Sequence, residues 1–139
     1  MCAFLIECNL NVIECKFRLG NISYKNDKYD EAIKYYNFSS DNGYNKGECL
    51  FLIGECYQMK QNYDEAIKYY NFALDNGHCK SECLYLIGEC SFFIGDCFKM
   101  KNNYDEATKY YNLALNSGYN KARCKINIKE CQMMREKIL

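Results

Sequence analysis

The sequence predicts an all-α fold, an α-solenoid of three helix–turn–helix repeats, and two observations support that prediction. The octapeptide YDEAIKYY occupies residues 29–36 and 63–70, and it returns at 104–111 with Thr108 in place of Ile. Around these copies, apolar residues recur at the spacings of three and four that are typical of an amphipathic helix. Three copies of one module in 139 residues indicate a repeat protein whose helix pairs stack to bury a continuous core.

The spacing between the copies indicates the class of repeat. The step from Tyr29 to Tyr63 equals the 34-residue helix–turn–helix period that is the signature of the tetratricopeptide repeat. The step from Tyr63 to Tyr104 is longer than this period by one heptad. In repeat 2 the stretch LIGECYQMKQNYDEAIKYYNFAL closely resembles that family's pattern. The linkers DNGYNK, DNGHCK and NSGYNK, in a chain without Pro, look more like those of the related Sel1-type repeats.

The resemblance implies a right-handed stack that forms a single domain over residues 1–139. We expect repeats at about 3–44, 45–78 and 79–119, followed by a capping helix at about 120–138. Each repeat supplies a helix A and a helix B, and in this family helix A lines the concave surface.

Helix boundaries follow from caps and apolar faces. The first helix A should be long, about 3–26, and the second should run over about 46–60. Helix B of repeat 2 should start after Asn62. Capping boxes are predicted at three pairs, Asn45 with Glu48, Asn62 with Glu65, and Asn103 with Glu106. The B helices should end at glycines, namely Gly43, Gly77 and Gly118.

The third helix A contains the extra heptad. LIGEC at 86–90 is followed at once by FIGDC at 93–97, and seven residues turn a helix by nearly two full turns. We therefore expect one continuous helix over about 80–101, in which close packing offsets the low helix propensity of Gly88 and Gly95. Its predicted buried face comprises Cys83, Leu84, Ile87, Cys90, Ile94, Cys97 and Phe98.

The 11 cysteines are predicted to be reduced packing residues. Most of them step by seven along the predicted A helices, as in Cys8/Cys15, Cys49/Cys56, Cys83/Cys90/Cys97 and Cys124/Cys131. Residues seven apart on a helix lie roughly 10 Å apart, which is beyond the reach of a disulfide. Two alternatives stay open: a metal site at His78, Cys79 and Cys83, and disulfides in an oxidising compartment. We expect no metal and no cofactor.

Catalysis and nucleic-acid or membrane binding have little support. The chain has one His and neither a P-loop nor a dinucleotide-binding glycine motif, so we expect it not to be an enzyme. The net charge is zero, although residues 121–139 hold six basic and two acidic residues. No apolar run is long and uncharged enough to span a bilayer, and the stretch 1–15 does not resemble a signal peptide. We expect a cytoplasmic protein in a reducing compartment.

The candidate binding site is the second face of each helix A, where acids alternate with aromatic residues. The resemblance implies that this face lines a groove for a protein or peptide. Carboxylates with aromatic rings favour a basic or amphipathic partner, through charge pairing and cation–π contacts. The candidate partner-binding residues are Phe17, Asn21, Glu48, Phe51, Glu55, Glu82, Tyr85, Glu89, Phe92 and Asp96.

Two other interpretations of this face and its surroundings stay open. The same stripe is also compatible with a plain solvated helix face. Alternatively, the chain is a self-assembling structural repeat protein, a homo-oligomer that uses the long first helix and the basic last helix. Some members of the family bind a C-terminal carboxylate through Lys, Arg and Asn. Here only Asn21 matches that clamp, and the other positions hold Phe17, Leu52, Glu82 and Leu86, which argues against chaperone-tail binding.

Overall fold

A computed structural model describes the backbone of residues 3–138 and the side chains of residues 11–138. These residues form seven helices and no strand, which confirms the all-α prediction. The helices are α1 (Ala3–Lys25), α2 (Tyr29–Asp41), α3 (Lys46–Met59), α4 (Tyr63–Asp75), α5 (Lys80–Met100), α6 (Tyr104–Asn116) and α7 (Lys121–Ile138). The predicted bounds of the A helices and of the last helix agree with these to within one residue.

The helices belong to two compact units, Met1–Cys79 with α1 to α4 (unit 1) and Lys80–Leu139 with α5 to α7 (unit 2). Within unit 1, α1 packs on α2, α2 on α3, and α3 on α4. Within unit 2, α5 packs on α6 and α6 on α7. The odd-numbered helices are the A helices of the repeat, and α2, α4 and α6 are its B helices.

A glycine lies at the closest contact between each helix A and its helix B. A Cβ added at Gly20 would lie 2.7 Å from Cε1 of Tyr36, and one at Gly54 would lie 2.7 Å from Cδ1 of Tyr70. In unit 2 a Cβ at Gly95 would lie 2.8 Å from Cε1 of Tyr111. All three tyrosine side chains are fully buried. Only glycine leaves room for the ring at these contacts.

Helix α5 is one unbroken helix of 21 residues, which confirms the interpretation of the extra heptad. Gly88 and Gly95 are both buried within it. A Cβ at Gly88 would lie 2.6 Å from Cβ of Tyr119, at the end of the linker after α6. The two glycines therefore sit where α6 and its linker approach α5 most closely, which offsets their intrinsic cost in a helix.

The helix ends are partly as predicted. Gly43, Gly77 and Gly118 have φ of 76°, 78° and 85°, the left-handed conformation that ends a helix at glycine. Two of the predicted capping boxes are wrong, because the side chains of Asn45 and Asn62 accept no capping hydrogen bond. Asn45 has φ 41° and ψ 48°, and a capping side chain needs an extended backbone. Asn103 does accept a hydrogen bond from the backbone N–H of Glu106 at 3.3 Å.

The described cysteines divide into buried and exposed thiols. All nine cysteines in residues 11–138 are thiols without disulfides, and six of them are buried: Cys49, Cys56, Cys83, Cys90, Cys124 and Cys131. The prediction of packing positions is wrong for Cys15 and Cys97, which are exposed, and Cys97 therefore leaves the predicted buried face of α5. Cys8 lies outside the residues whose side chains are described. Burial raises the pKa of the Cys49, Cys56 and Cys90 thiols to about 12.

Thiol labelling of the native protein should follow this division. We expect Cys15, Cys79 and Cys97 to react quickly near pH 8, whereas the six buried thiols react only after urea unfolds the chain, because alkylation needs an accessible thiolate. Mass spectrometry of peptides after timed labelling measures each site. Fast native labelling of Cys49 or Cys90 would contradict the packing described here.

Candidate functional site

Tyrosine hydroxyl groups of the B helices bond to side chains on the predicted binding face. The hydroxyl of Tyr36 donates to Oδ1 of Asn21, and that of Tyr111 donates to Oδ1 of Asp96, each at 2.6 Å. In repeat 2 the hydroxyl of Tyr70 donates instead to Oε1 of Gln58, also at 2.6 Å. Asn21 and Asp96 therefore hold a buried tyrosine in place. Burial, assisted by the bond to Asp96, raises the pKa of Tyr111 far above its ordinary value.

Two of the predicted aromatic contacts belong to the core. Phe51 and Phe92 are only 5% and 3% exposed, so the expectation of an open aromatic stripe is wrong at these two positions. Phe51 and Phe92 are buried because the residue that follows each linker glycine packs over their rings. The sequence did not reveal this contact. His78 stacks on Phe51 with ring centroids 4.5 Å apart, and Tyr119 contacts Phe92 at 5.5 Å.

The same arrangement recurs in repeat 1, where the ring of Tyr44 lies 5.5 Å from that of Phe17. Phe17 also contacts Tyr36 at 5.7 Å and stays half-buried. Thus the linkers do more than end the B helices. In each linker one ring packs against the aromatic residue on helix A of the same repeat. This contact reduces the aromatic surface that a partner can reach.

The acids of the face, and one aromatic residue, remain accessible. Glu48 and Glu82 are exposed, and Glu55 and Glu89 are half-buried. Tyr85 is 52% exposed. These five residues and the half-buried Phe17 are accessible to a partner, and Asn21 and Asp96 are half-buried as well, although each of them also accepts a hydrogen bond from a tyrosine hydroxyl.

In unit 1 the accessible part of the face is acidic. Glu55 lies close enough to Tyr24 to act on its ionisation: burial first, and then the charge of Glu55, raises the pKa of Tyr24 to about 12. Glu48 lies one heptad, about two helical turns, before Glu55 on α3. A cation that approached α3 would meet both carboxylates on one side of the helix.

In unit 2 a cation from the chain itself lies on the predicted face. The guanidinium carbon of Arg123, in the first turn of α7, is 5.4 Å from the ring centroid of Phe92. Tyr119 joins this cluster, since its ring lies 5.3 Å from that of Tyr85. Burial raises the pKa of Tyr119, the charge of Glu89 raises it further, and Arg123 opposes the shift. Aromatic rings, a carboxylate and a guanidinium therefore meet here.

A second charged contact lies towards the other end of the same face. Nζ of Lys99 is 2.5 Å from a carboxylate oxygen of Glu130 on α7. Beside this pair is a cavity of about 330 Å³, lined by Lys99, Tyr104, Glu130, Met133, Met134 and Lys137. Sequence reasoning missed Arg123 and Tyr119 as parts of the site. The basic composition of residues 121–139 was the one available signal.

The described part of the chain contains neither a candidate metal site nor a candidate membrane span. Residues 11–138 contain no group of three or more His, Cys, Asp or Glu side chains able to hold a metal ion, so the alternative at His78, Cys79 and Cys83 gains no support. His78 instead packs against Phe51. Among the helices described, none is both long enough and apolar enough to cross a membrane.

The helix pairs, the glycine–tyrosine contacts and the linkers define a helical-repeat protein of the α-solenoid class. Comparison with protein families then identifies the repeat. A tetratricopeptide repeat model matches residues 48–117, about half of the chain, and a second one matches residues 17–78. The chain therefore belongs to the tetratricopeptide repeat family. The Sel1-like character of the linkers stays a prediction.

Solved structures show the same fold at low sequence identity. The complex of the TPR2AB domain of yeast Sti1 with pHSP90 is 20% identical with a TM-score of 0.50, and the match covers 92% of this chain and 49% of that one. The present chain thus spans about half the length of that Sti1 chain.

Two further structures match over most of both chains. The N-terminal domain of stress-induced protein-1 from C. elegans is 16% identical, with a TM-score of 0.56 and coverage of 88% and 95%. The type III secretion chaperone SycD of Yersinia enterocolitica, in complex with a YopD translocator peptide, is 19% identical, with a TM-score of 0.56 and coverage of 90% and 95%. A search of curated proteins finds no significant match.

Proposed function

We propose that this chain is a protein-interaction module that binds a basic or amphipathic peptide on the acidic faces of its A helices. In unit 1 the partner would contact Glu48 and Glu55 on α3. In unit 2 it would contact Tyr85, Glu89 and the exposed Glu82 on α5. The proposal treats the two units as one 1–139 module without catalytic activity.

Arg123 is the observation that supports this proposal most strongly. Its guanidinium lies over an aromatic ring of the face, in a cluster that includes a carboxylate. A cation over a ring is worth about 0.5–1 kcal/mol at an exposed site and more when it is desolvated. The chain thus uses one of its own side chains in the contact proposed for a lysine or arginine of the partner.

The ten predicted residues take different parts in this proposal. Phe51 and Phe92 would support the face from below its surface, and the half-buried Asn21 and Asp96 would hold tyrosine hydroxyl groups in place. The other exposed or half-buried members would contact the partner, namely Phe17, Glu48, Glu55, Glu82, Tyr85 and Glu89. The SycD structure is a complex with a YopD peptide and the Sti1 structure is a complex with pHSP90, which supports a binding role, although their identities of 19% and 20% establish only the fold.

Charge reversal on the face should strongly weaken binding of a basic peptide. A library of short peptides should yield sequences with Lys or Arg beside an apolar anchor. For such a peptide we expect Glu55→Lys with Glu89→Lys to weaken binding at least about tenfold, which corresponds to about 1.4 kcal/mol. Calorimetric titration of both proteins measures the difference, and binding to the native chain should also weaken as salt is raised.

A matched control variant changes the net charge by the same amount, but at two residues outside the acidic face. Glu31→Lys with Glu136→Lys alters one exposed acid on α2 and one on α7. This variant should bind within about twofold of the native chain. If the library instead selects acidic C-terminal tails, or if both double variants bind equally well, the acidic-face proposal is wrong.

Self-assembly is the second candidate function, and the distribution of charge favours it. Residues 121–139 carry six basic and two acidic residues, so the remainder carries the balancing negative charge. Helix α7 also exposes Ile126 and Met133 by about half. The long α1 and the basic α7 would be the contact surfaces. Light scattering at low and high salt separates this candidate from a monomeric adaptor.

We also propose a cytoplasmic, reducing location. This proposal is supported by the nine cysteines of the described region, which are all free thiols. Six of them are buried as packing residues and not cross-linked. Quantification of thiols in protein taken from its native source, trapped at low pH, would test this. Disulfides in that sample would contradict it.

A further inference from the structure

The linkers that follow α2 and α4 each contain a chemically reactive pair of residues. Asn42 is followed by Gly43 and Asn76 by Gly77, and these are the two Asn-Gly pairs of the chain. Asparagine before glycine is prone to deamidation, because glycine has no side chain to hinder attack of its backbone nitrogen on the asparagine. All four residues are exposed, and a Cβ added at either glycine would meet no atom within 4 Å. Water and hydroxide can therefore reach both pairs.

Deamidation replaces the side-chain amide by a carboxylate and needs only water. The glycine nitrogen loses its proton to hydroxide and attacks Cγ of the asparagine, the bond from Cγ to Nδ2 breaks, and Nδ2 leaves as ammonia. Water then opens the five-membered succinimide ring at either carbonyl. One product is aspartate, and the other is isoaspartate, in which the main chain passes through the former side chain and is one methylene longer. Each product adds one negative charge to the linker.

The folded backbone holds both pairs in a conformation that cannot close this ring. Ring closure needs the glycine nitrogen on the same side of the Cα–C bond as Cβ of the asparagine. With ψ of 11° at Asn42 and 18° at Asn76, the glycine nitrogen instead nearly eclipses the asparagine's own backbone nitrogen. Rotation about the Cα–C bond is opposed, because the N–H groups of Gly43 and Gly77 donate to carbonyl oxygens in the last turns of α2 and α4, at 2.9 and 3.0 Å.

The asparagine side chains are held by the same helix ends. Nδ2 of Asn42 donates to the carbonyl oxygen of Phe38, and Nδ2 of Asn76 donates to that of Phe72, each at 2.8 Å. The carboxylate formed by deamidation cannot donate this hydrogen bond, and it places negative charge at the negative end of the helix dipole. The reaction therefore requires the last helical turn to open, which is a local unfolding event.

At Asn76 the linker also positions the ring that covers Phe51. A Cβ added at Gly47 of α3 would lie 3.1 Å from the carbonyl oxygen of Asn76 and 3.5 Å from Cβ of His78, so the linker packs closely on α3. The backbone N–H of His78 donates to the last turn of α4 at 3.0 Å, and its ring stacks on Phe51. An extra methylene in the main chain before His78 would shift this residue relative to both helices.

We propose that Asn42 and Asn76 are deamidation sites that the folded ends of α2 and α4 hold unreactive, so that modification follows local opening of a helix end. Formation of isoaspartate at position 76 then moves His78 off Phe51 and opens that ring to solvent. The third linker has Ser117 at the matching position and lacks an Asn-Gly pair. This inference does not depend on the proposed peptide binding.

Deamidation rates in the folded and unfolded chain test the restraint. The full chain is incubated at mildly alkaline pH with and without guanidinium chloride, and peptide mass spectrometry follows Asn42 and Asn76. We expect both asparagines to react at least about tenfold more slowly in the folded chain. Equal rates in the two states, or no reaction at either asparagine in denaturant, would overturn the proposal.

Two reciprocal variants test whether the opening is local. Phe72→Gly loosens the last turn of α4, because glycine is a poor helix former, and Phe72 is 40% exposed, so the fold tolerates its loss. In the folded chain this variant should raise the rate at Asn76 at least about threefold and leave the rate at Asn42 unchanged. Phe38→Gly should do the reverse, and neither variant should change the rates in denaturant. If each variant accelerated both sites equally, global unfolding would control the reaction and the proposed local restraint would be wrong.

The chain with isoaspartate at position 76 tests the effect on His78. Anion-exchange chromatography separates it from the native chain by its additional negative charge. We expect the backbone N–H of His78 to exchange with solvent at least about tenfold faster than in the native chain. Hydroxyl-radical labelling should increase at Phe51 and stay unchanged at Phe92, which Tyr119 covers. Native exchange at His78 together with native labelling of Phe51 would show that the modification does not uncover this ring.

Discussion

Replacement of Tyr70 by Ala should destabilise the protein by about 3–5 kcal/mol, the range for removal of a buried aromatic side chain. Tyr70 is fully buried, its ring lies 5.5 Å from that of Phe51, and its hydroxyl donates to Gln58 at 2.6 Å. The substitution leaves a cavity between α3 and α4 beside Gly54. Urea unfolding followed by circular dichroism measures the loss.

Two comparison variants separate the contributions of the ring and the hydroxyl. Tyr70→Phe keeps the ring and loses one hydrogen bond, so we expect a cost of about 1 kcal/mol. Tyr85→Ala removes a tyrosine that is 52% exposed and should cost no more than about 1 kcal/mol. If Tyr70→Ala cost no more than Tyr85→Ala, the buried tyrosine would not be the main support of the helix pair.

Gly54→Ala should destabilise the protein by about 1–3 kcal/mol, although alanine is the better helix former. Helix propensity alone favours Ala over Gly by about 1 kcal/mol. The added Cβ would lie 2.7 Å from both Cδ1 and Cε1 of Tyr70, and that ring is fully buried. Because the ring has no free space to move into, the overpacking cost outweighs the gain in propensity. Urea unfolding again measures the net sign.

Helix α7 supplies the matched control for this prediction. Lys129 precedes Cys131 by the same interval by which Gly54 precedes Cys56, so it occupies the same position of the repeat, and it is exposed. Lys129→Ala should change stability by less than about 0.5 kcal/mol, as is usual for an exposed helical site. If Gly54→Ala were neutral or stabilising, the close contact between α3 and α4 would not constrain this position.

The contrast between Gly54 and Lys129 also supports our prediction that α7 is a capping helix. Each helix A that packs against the helix B of the same repeat has glycine at the point where the tyrosine ring of helix B crosses helix A. Helix α7 keeps the residues that pack on α6, namely Cys124, Ile128 and Cys131. It has Lys in place of the glycine, so it can end the core of unit 2 but cannot accept a further helix B in the same way.

The positions of the helices could be predicted from the sequence, whereas most of their N-terminal capping boxes could not. The 34-residue period, the YDEA starts and the linker glycines were enough to place all seven helices to within about a turn, because each depends on local periodicity and local backbone conformation. The continuous α5 followed from the heptad for the same reason. The capping box at Asn45 failed because that residue has a left-handed backbone, which the residue type does not determine. Asn62 has nearly the same backbone angles as Asn103, which does cap its helix, so the backbone does not explain why its side chain accepts no capping bond.

The candidate site depended more on tertiary contacts. In the sequence, Phe51 precedes Glu55 by four residues and Phe92 follows Glu89 by three, which are the spacings of one helix face. The sequence could not show that His78 and Tyr119, from the linkers after the following B helices, cover those two rings. Nor could it show that Asn21 and Asp96 hold tyrosine hydroxyls, or that Arg123 lies over Phe92.

The sequence by itself determined the repeat, the order of the helices and the side of each helix A that carries acids, because these follow from spacing along one helix. The tertiary structure decided which of those side chains a partner can reach. Exposure depends on what the neighbouring helix and linker place over a residue. Cys15 and Cys49 occupy the same position of the repeat and have the same side chain, yet Cys15 is exposed and Cys49 is buried, because α2 covers α3 and no described residue covers α1 there.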